Sequence, residues 1–235
     1  MTSSLIPARP YDKFHGNSWH RIEDTVTRET RIHLAWPNRS TTLWAFPRDL
    51  DHLALGHALV EWCSPNQIPC LRQTEHDTFH LDPCPREYPA GGRNFEPVSP
   101  PTILGAMNRF FSRTGLWETT GCFHRMALFD PHTDTIIHFV EDIARHNCID
   151  RLAGWSVQAA CPLKDKVLLC SSRVTGSLMT KICLAGLPMV VSQSATTMAA
   201  IDMAADHGIT LLGFARTSRF TVFCDPADHA RVAKI

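Results

Sequence analysis

A three-layer α/β domain with a largely parallel sheet is predicted for the second part of this chain, preceded by a smaller mixed α+β subdomain. Three observations predict it. From residue 98 onward, short apolar runs alternate with amphipathic stretches of about ten residues, the rhythm of strand, crossover helix, strand. Before that point, residues 29–36 and 40–46 alternate polar and apolar side chains around the turn Pro37-Asn38-Arg39, the pattern of a half-buried hairpin. Between the two lies a stretch, residues 83–101, with six prolines and the adjacent glycines Gly91 and Gly92. The expected division is therefore 1–97, ending in a Pro/Gly-rich loop, and 98–235.

Each element has its own local reason. The first twenty residues carry two prolines and mixed polarity, and read as an extended lead-in. Residues 48–63 (RDLDHLALGHALVEWC) place Leu50, Leu53, Ala54 and Ala58 on one helical face. Residues 64–81 read as short strands around Pro65-Asn66, and residues 83–101 as a loop long enough to be functional. Ser99-Pro100-Pro101 starts a helix whose buried face is Ile103, Met107, Phe110 and Phe111. Strands follow at 120–130 and 135–140, then a helix at 141–155. The series closes with strand 166–170, helix 176–185, strand 189–191, helix 197–206, strand 209–214 and strand 220–224.

Composition removes several function classes. The 23 basic and 23 acidic residues cancel, and there is no polybasic run, which argues against a nucleic-acid or membrane-surface partner. The longest apolar runs fall short of a membrane span, and the N-terminus lacks the charged start and apolar core of a signal peptide. With no Cys-x-x-Cys among nine cysteines, the expectation is a cytoplasmic protein whose thiols are reduced and mostly buried. His76 and His80 fall on a predicted strand, too far apart for one small ion, so no zinc site is expected.

Residues 140–155 (VEDIARHNCIDRLAGW), wound as a helix, put Val140, Ile143, Ala144, Cys148, Leu152 and Trp155 on one arc. Asp142, Arg145, His146 and Asp150 gather opposite, at spacings that permit ion pairs. Glu141, Asn147 and Arg151 fall inside the apolar arc, and buried polar groups require partners, from another element or a ligand.

Ligands of doubly wound folds sit beyond the carboxyl ends of the strands. Three consecutive strand ends here lead into Ser171-Ser172-Arg173, into residues 192–197 (SQSATT), and into Ala215-Arg216-Thr217-Ser218-Arg219. Helix N-termini, hydroxyls and forked guanidinium groups together make an anion site, most naturally for phosphate. Helix capping by Ser and Thr accounts for some of the hydroxyls, though not for the recurring arginines.

Taken in order, these segments resemble the formate dehydrogenase accessory sulfurtransferases, the FdhD/NarQ family. The carriers of the resemblance are Thr120-Gly121-Cys122-Phe123-His124 with residues 127–130 (ALFD), Glu141-Asp142 with Arg145-His146-Asn147 and Asp150, Ser171-Ser172-Arg173, residues 192–197, and Gly213-Phe214 with Arg216 and Arg219. Residues 47–61 resemble the family's upstream helix. The resemblance implies a cytidine-deaminase-like α/β/α fold. Deamination itself is excluded, since there is no His-x-Glu and Pro83-Cys84 is not followed by a second ligand thiol.

The resemblance further implies transfer of persulfide sulfur from a cysteine desulfurase to the bis-guanine-dinucleotide molybdenum cofactor of formate dehydrogenase. Implied partners are the desulfurase, the formate dehydrogenase catalytic subunit and a second copy of the chain, with GDP as a mimic of the carried ligand. Phe214, Ala215, Arg216, Thr217, Ser218 and Arg219 would bind the nucleotide, and His124, Arg145, His146, Asn147 and Arg173 would line the same cavity. The family's loop usually carries Cys-Gly-x-Cys-Gly; the corresponding stretch here, residues 82–92 (DPCPREYPAGG), holds Cys84 alone, which becomes the expected persulfide carrier. Cys122 is the candidate for a second thiol. Two other readings stand beside this one: a cofactor-binding chaperone without sulfur chemistry, and a nucleotide-acting enzyme using His146 with Asp142 as an acid–base pair.

Overall fold

A computed structural model describes residues 5–86 and 95–234. Its centre is a six-stranded sheet in the order β12-β11-β10-β9-β7-β8, made of β7 (His124–Asp130), β8 (Thr135–Asp142), β9 (Val167–Cys170), β10 (Met189–Ser192), β11 (Thr210–Arg216) and β12 (Arg219–Cys224). Strands β9, β10 and β11 are parallel; β7, β8 and β12 join antiparallel to their neighbours. Alternating side chains of each strand feed two cores. Leu168, Cys170, Val190 and Leu211 pack under α4 (Arg145–Gln158), α5 (Gly176–Ala185) and α6 (Met198–Asp206). Val167, Leu169, Met189, Val191 and Leu212 pack on the other side against Ile103, Met107 and Phe110 of α2 (Pro100–Ser112). The predicted α/β architecture is thus present, with three layers around this sheet.

A second sheet, β4-β3-β6-β5, comprises β3 (Thr30–Trp36), β4 (Arg39–Ala45), β5 (Gln67–Glu75) and β6 (Thr78–Pro85). Its inward side chains, Ile32, Leu34, Phe79 and Leu81, cover one side of α1 (Leu50–Glu61). The other side of α1 lies on α4 at very close range. A Cβ added to Gly56 would stand 1.6 Å from the Asp150 carbonyl oxygen, and one added to Gly154 1.8 Å from that of His52. Two facing glycines therefore let the helix backbones touch, and no larger residue fits either position.

Four elements differ from expectation. The lead-in is a hairpin, β1 (Ala8–His15) with β2 (Ser18–Thr25), turned at Gly16-Asn17, both with positive φ (59° and 69°). The segment at 120–123 belongs to the end of a short helix, α3 (Leu116–Thr120), and its exit, so β7 begins only at His124. Strand β8 runs through Asp142, and α4 starts at Arg145, four residues later than predicted. Strand β6 extends to Pro85, into the stretch read as loop; residues 87–94 of that stretch lie outside the described residues. The ladder explains how Pro83 and Pro85 are accommodated. Arg86 N–H donates to the Asn66 carbonyl of the turn before β5, so by alternation the nitrogens of residues 83 and 85 point away from β5. Strand β3 pairs with β6 only as far as His80, so on that side no ladder bond is missed. No helix among the described residues is long and apolar enough to cross a membrane.

Candidate functional site

The register of the central sheet brings one set of strand ends together. Parallel β9, β10 and β11 end on one edge; β7, reversed, starts there, since Met126 lies opposite Cys170. His124 is opposite Asp142, so β8 also ends there and delivers the start of α4. The loops are stitched crosswise. Ser171 N–H donates to the Arg125 carbonyl, Val174 N–H to that of Ala195, Thr197 N–H to that of Val174, and Phe214 N–H to that of Ser194. The hydroxyls do the same work: Ser192 donates to the Ser172 carbonyl and Thr196 to that of Val174.

These hydroxyls do not cap helices. The N-cap residues of α4, α5 and α6 (Ala144, Thr175 and Thr197) make no side-chain cap hydrogen bond. Three helix N-termini therefore face one edge with N–H groups unclaimed by a cap, each carrying the partial positive charge of a helix start. Arg145 opens α4, and its Nε is buried without a hydrogen-bond partner. An unpaired buried donor costs about 1–3 kcal/mol. His124 and Arg173 are its electrostatic neighbours. The His124 imidazole is pushed below its usual pKa by burial first and then by the Arg145 and Arg173 guanidinium groups, with Asp142 opposing. Among the described residues, none of these three side chains has a hydrogen-bond partner.

The other expected ligands are placed differently. Asn147 is buried and donates to the Trp44 carbonyl at 2.8 Å and to Asp142 at 3.0 Å, so it anchors the α4 start to β4 and cannot line a cavity. His146 faces α5, with Nε2 3.3 Å from the Ser177 hydroxyl; burial, Arg145 and Lys181 lower its pKa. Arg216 and Arg219 pair with each other across the tight β11–β12 turn at Thr217-Ser218. Both are exposed, as are Thr217, Ser218 and Phe214, whereas Ala215 is buried. That turn stands two strands from Arg173, roughly 10 Å along the edge. The arginines therefore line an open edge, not one enclosed pocket. A polar cavity of about 400 Å³ opens on the β8 side, lined by Arg48, His52, Arg113, Glu141 and Arg151, without Arg173, Arg216 or Arg219.

The polar residues of the 141–151 stretch find protein partners. Arg151 donates to Asp142 at 2.8 Å and to the carbonyls of Phe46, Arg48 and Asp49. Glu141 accepts from the backbone N–H groups of Leu116 and Trp117, tying down α3. Asp150, expected on the polar face, is buried between Lys181 at 2.6 Å and His57 at 3.3 Å. Asp142 is committed to Arg151 and Asn147, which removes the proposed His146–Asp142 acid–base pair.

The thiols require the largest correction. Cys84 lies in β6, not on a loop, and is bonded to Cys70 of β5. The partner of Cys84 is thus Cys70, which the sequence did not single out, because the pairing depends on the register of two strands. Cys122 is free and exposed beside His124. Only Cys148 and Cys170 among the free thiols are buried, and four others are half-exposed. Cys84 also stands far from the cationic edge. Arg86, two residues on, shares a cavity with Ser156, Val157 and Cys161 at the end of α4, whereas Arg145 begins that helix. Its 14 residues span about 20 Å.

Comparison with known proteins gives the family and the fold. The model of the FdhD/NarQ family matches residues 70–230. "Protein FdhD" of Methanocaldococcus jannaschii is 29% identical over 213 residues, covering 90% of this chain and 93% of that protein. "Sulfur carrier protein FdhD" of Staphylococcus aureus strain MRSA252 is 34% identical over 131 residues, covering 55% of this chain and 48%, about half, of the relative. A crystal structure assigned as a formate dehydrogenase accessory protein from Desulfotalea psychrophila superposes with a TM-score of 0.81 at 17% identity, over 97% of this chain and all of the other. At that identity the likeness establishes the fold.

Proposed function

The chain belongs to the FdhD/NarQ family, and from that membership we propose that it is a cytoplasmic sulfur carrier required for formate dehydrogenase activity. It accepts persulfide sulfur from a cysteine desulfurase on Cys84 and passes it to the bis-guanine-dinucleotide molybdenum cofactor. The cargo's pyrophosphate is held at the sheet edge by Arg145, Arg173 and the uncapped starts of α4, α5 and α6. His124 supplies a neutral N–H there, and Arg216 and Arg219 reach the distal part of the nucleotide. One observation carries the reading: Arg145 Nε is buried and unpartnered among groups that favour an anion. GDP titrated by calorimetry tests it. Saturable binding, weakened in Arg145→Ala, supports the site; absence of binding, or identical binding in that variant, refutes it.

A second reading is cofactor chaperoning without sulfur transfer. It is favoured by the bond that occupies Cys84 and by the helix length separating that residue from Arg145. Incubation of reduced protein with a desulfurase and cysteine, followed by weighing of the tryptic peptide 73–86, separates the two. An added sulfur on Cys84, that peptide's single cysteine, supports the carrier. Its absence leaves the chaperone.

A further inference from the structure

We propose that Cys70 is the resolving thiol of the carrier: it displaces the outer sulfur of a Cys84 persulfide as sulfide and closes the Cys70–Cys84 disulfide. This inference rests on the reading of Cys84 as persulfide carrier. Strands β5 and β6 set Ile68 opposite Cys84 and Cys70 opposite Asp82, so the cysteines are diagonal neighbours on one face of the ladder. Their Cα atoms are 6.0 Å apart across 14 residues of chain. Backbone hydrogen bonds of the ladder hold this geometry whether or not the sulfurs are joined. A reduced pair therefore remains within reach of exchange, and the disulfide needs no rearrangement of the fold to form.

The chemistry shows what a second thiol supplies. The outer sulfur of a persulfide is formally zero-valent, and a metal takes sulfur as sulfide, two electrons richer. Cys70 thiolate attacks Cys84 Sγ; the Cys70–Cys84 bond forms, the bond from Cys84 Sγ to the outer sulfur breaks, and that sulfur leaves as hydrosulfide with the electron pair. The proton lost by Cys70 goes to the hydrosulfide or to water. The two cysteines are oxidised by two electrons and the departing sulfur is reduced by two. A thiol reductant then reopens the disulfide for the next round. In a protein of the cytosol, a disulfide of this kind is far more often a step in a cycle than a permanent staple.

Rival thiols are less suited. Cys63, beside Arg86 at the same end of the hairpin, is pushed up to about 11 by burial and stays protonated at neutral pH. Cys122 sits beside His124, at the opposite end of α4.

The test uses the full chain, reduced and freed of reductant, with a cysteine desulfurase and one equivalent of cysteine. Free sulfide and the masses of peptides 49–72, which carries Cys63 and Cys70, and 73–86, which carries Cys84, are followed together, and fragmentation of the joined peptides assigns the bridge to Cys70 or Cys63. Wild type is expected to release one sulfide per Cys70–Cys84 disulfide formed, read as the joined peptides with two hydrogens lost. In Cys70→Ser the persulfide on Cys84 should persist, with sulfide release at least tenfold slower. Equal release and equal persulfide decay in both proteins would overturn the resolving role while leaving the carrier intact. A Cys84 that never gains sulfur in either protein would overturn the carrier reading, and this inference with it. Unchanged GDP affinity in Cys70→Ser certifies its fold, and the disulfide formed by wild type is a readout independent of any variant.

Discussion

The two ends of α4 differ in how they are built. At its start, loops from four strands converge, charge accumulates without partners, and hydroxyls are spent on joining loops to each other. At its far end, beside the second sheet, the reactive groups are two sulfurs held by an ordinary antiparallel ladder. One end is suited to binding an anion and the other to moving electrons. On the proposed function, the separation means that affinity for the cargo and chemistry on sulfur can be altered independently; α1 against α4 joins the two ends.

The joint itself is the place to break both ends at once. Gly56→Ala or Gly154→Ala forces a methyl group into a facing carbonyl, and a loss of about 3 kcal/mol or more is expected, read by denaturant unfolding. Arg151→Met acts nearer the charged end. It leaves Asp142 buried without its cation and should cost about 3–5 kcal/mol, with Asp142→Asn in the same chain recovering part of it. Substitutions at the surface of either end should separate the functions. Arg173→Ala is expected to weaken GDP about tenfold, roughly 1.4 kcal/mol, with sulfur loading of Cys84 unchanged. Cys84→Ser should do the reverse.

The remaining effects are protonic. His138 lies flat on Trp155, ring centroids 4.3 Å apart, and its pKa is lowered to about 4 by burial, with His52 adding to the shift. The unfolded chain takes up this proton near pH 6.5 and the folded chain only near 4, so stability should fall as pH drops through that window. His138→Phe should flatten the fall in thermal melts. His124, also held below 6.5, gives binding the opposite trend: its protonation adds a cation to the edge, so GDP affinity should rise as pH falls through its pKa.

How much of this was legible depended on whether one segment or two decided the outcome. The parallel strands β9, β10 and β11 are short apolar runs followed by polar loops, and both their existence and their shared edge could be read from the chain. The start of α4 could not. Residues 140–142 (VED) satisfy a helical spacing as well as a strand ending, and only pairing with β7 decides for the strand. That shift turned Asp142 from a helix-surface acid into the buried partner of Arg151. The need of Asn147 and Arg151 for partners was readable; that β4, the connection from β4 to α1 and the β8 end would supply them was not. Hairpin β1–β2 carried its signal in Gly16-Asn17, obscured because its strands are exposed on both faces and show no alternation. Cys70 was invisible as a partner for Cys84, since only the β5–β6 register places them side by side.

The measurement that tests the account most directly is the His124 imidazole resonance followed by NMR while GDP is added. Binding at the edge predicts a saturable shift with the His124 pKa moving up toward or past its usual value, and loss of that response in Arg145→Ala. An imidazole that ignores GDP while the nucleotide binds elsewhere, or does not bind at all, would contradict it.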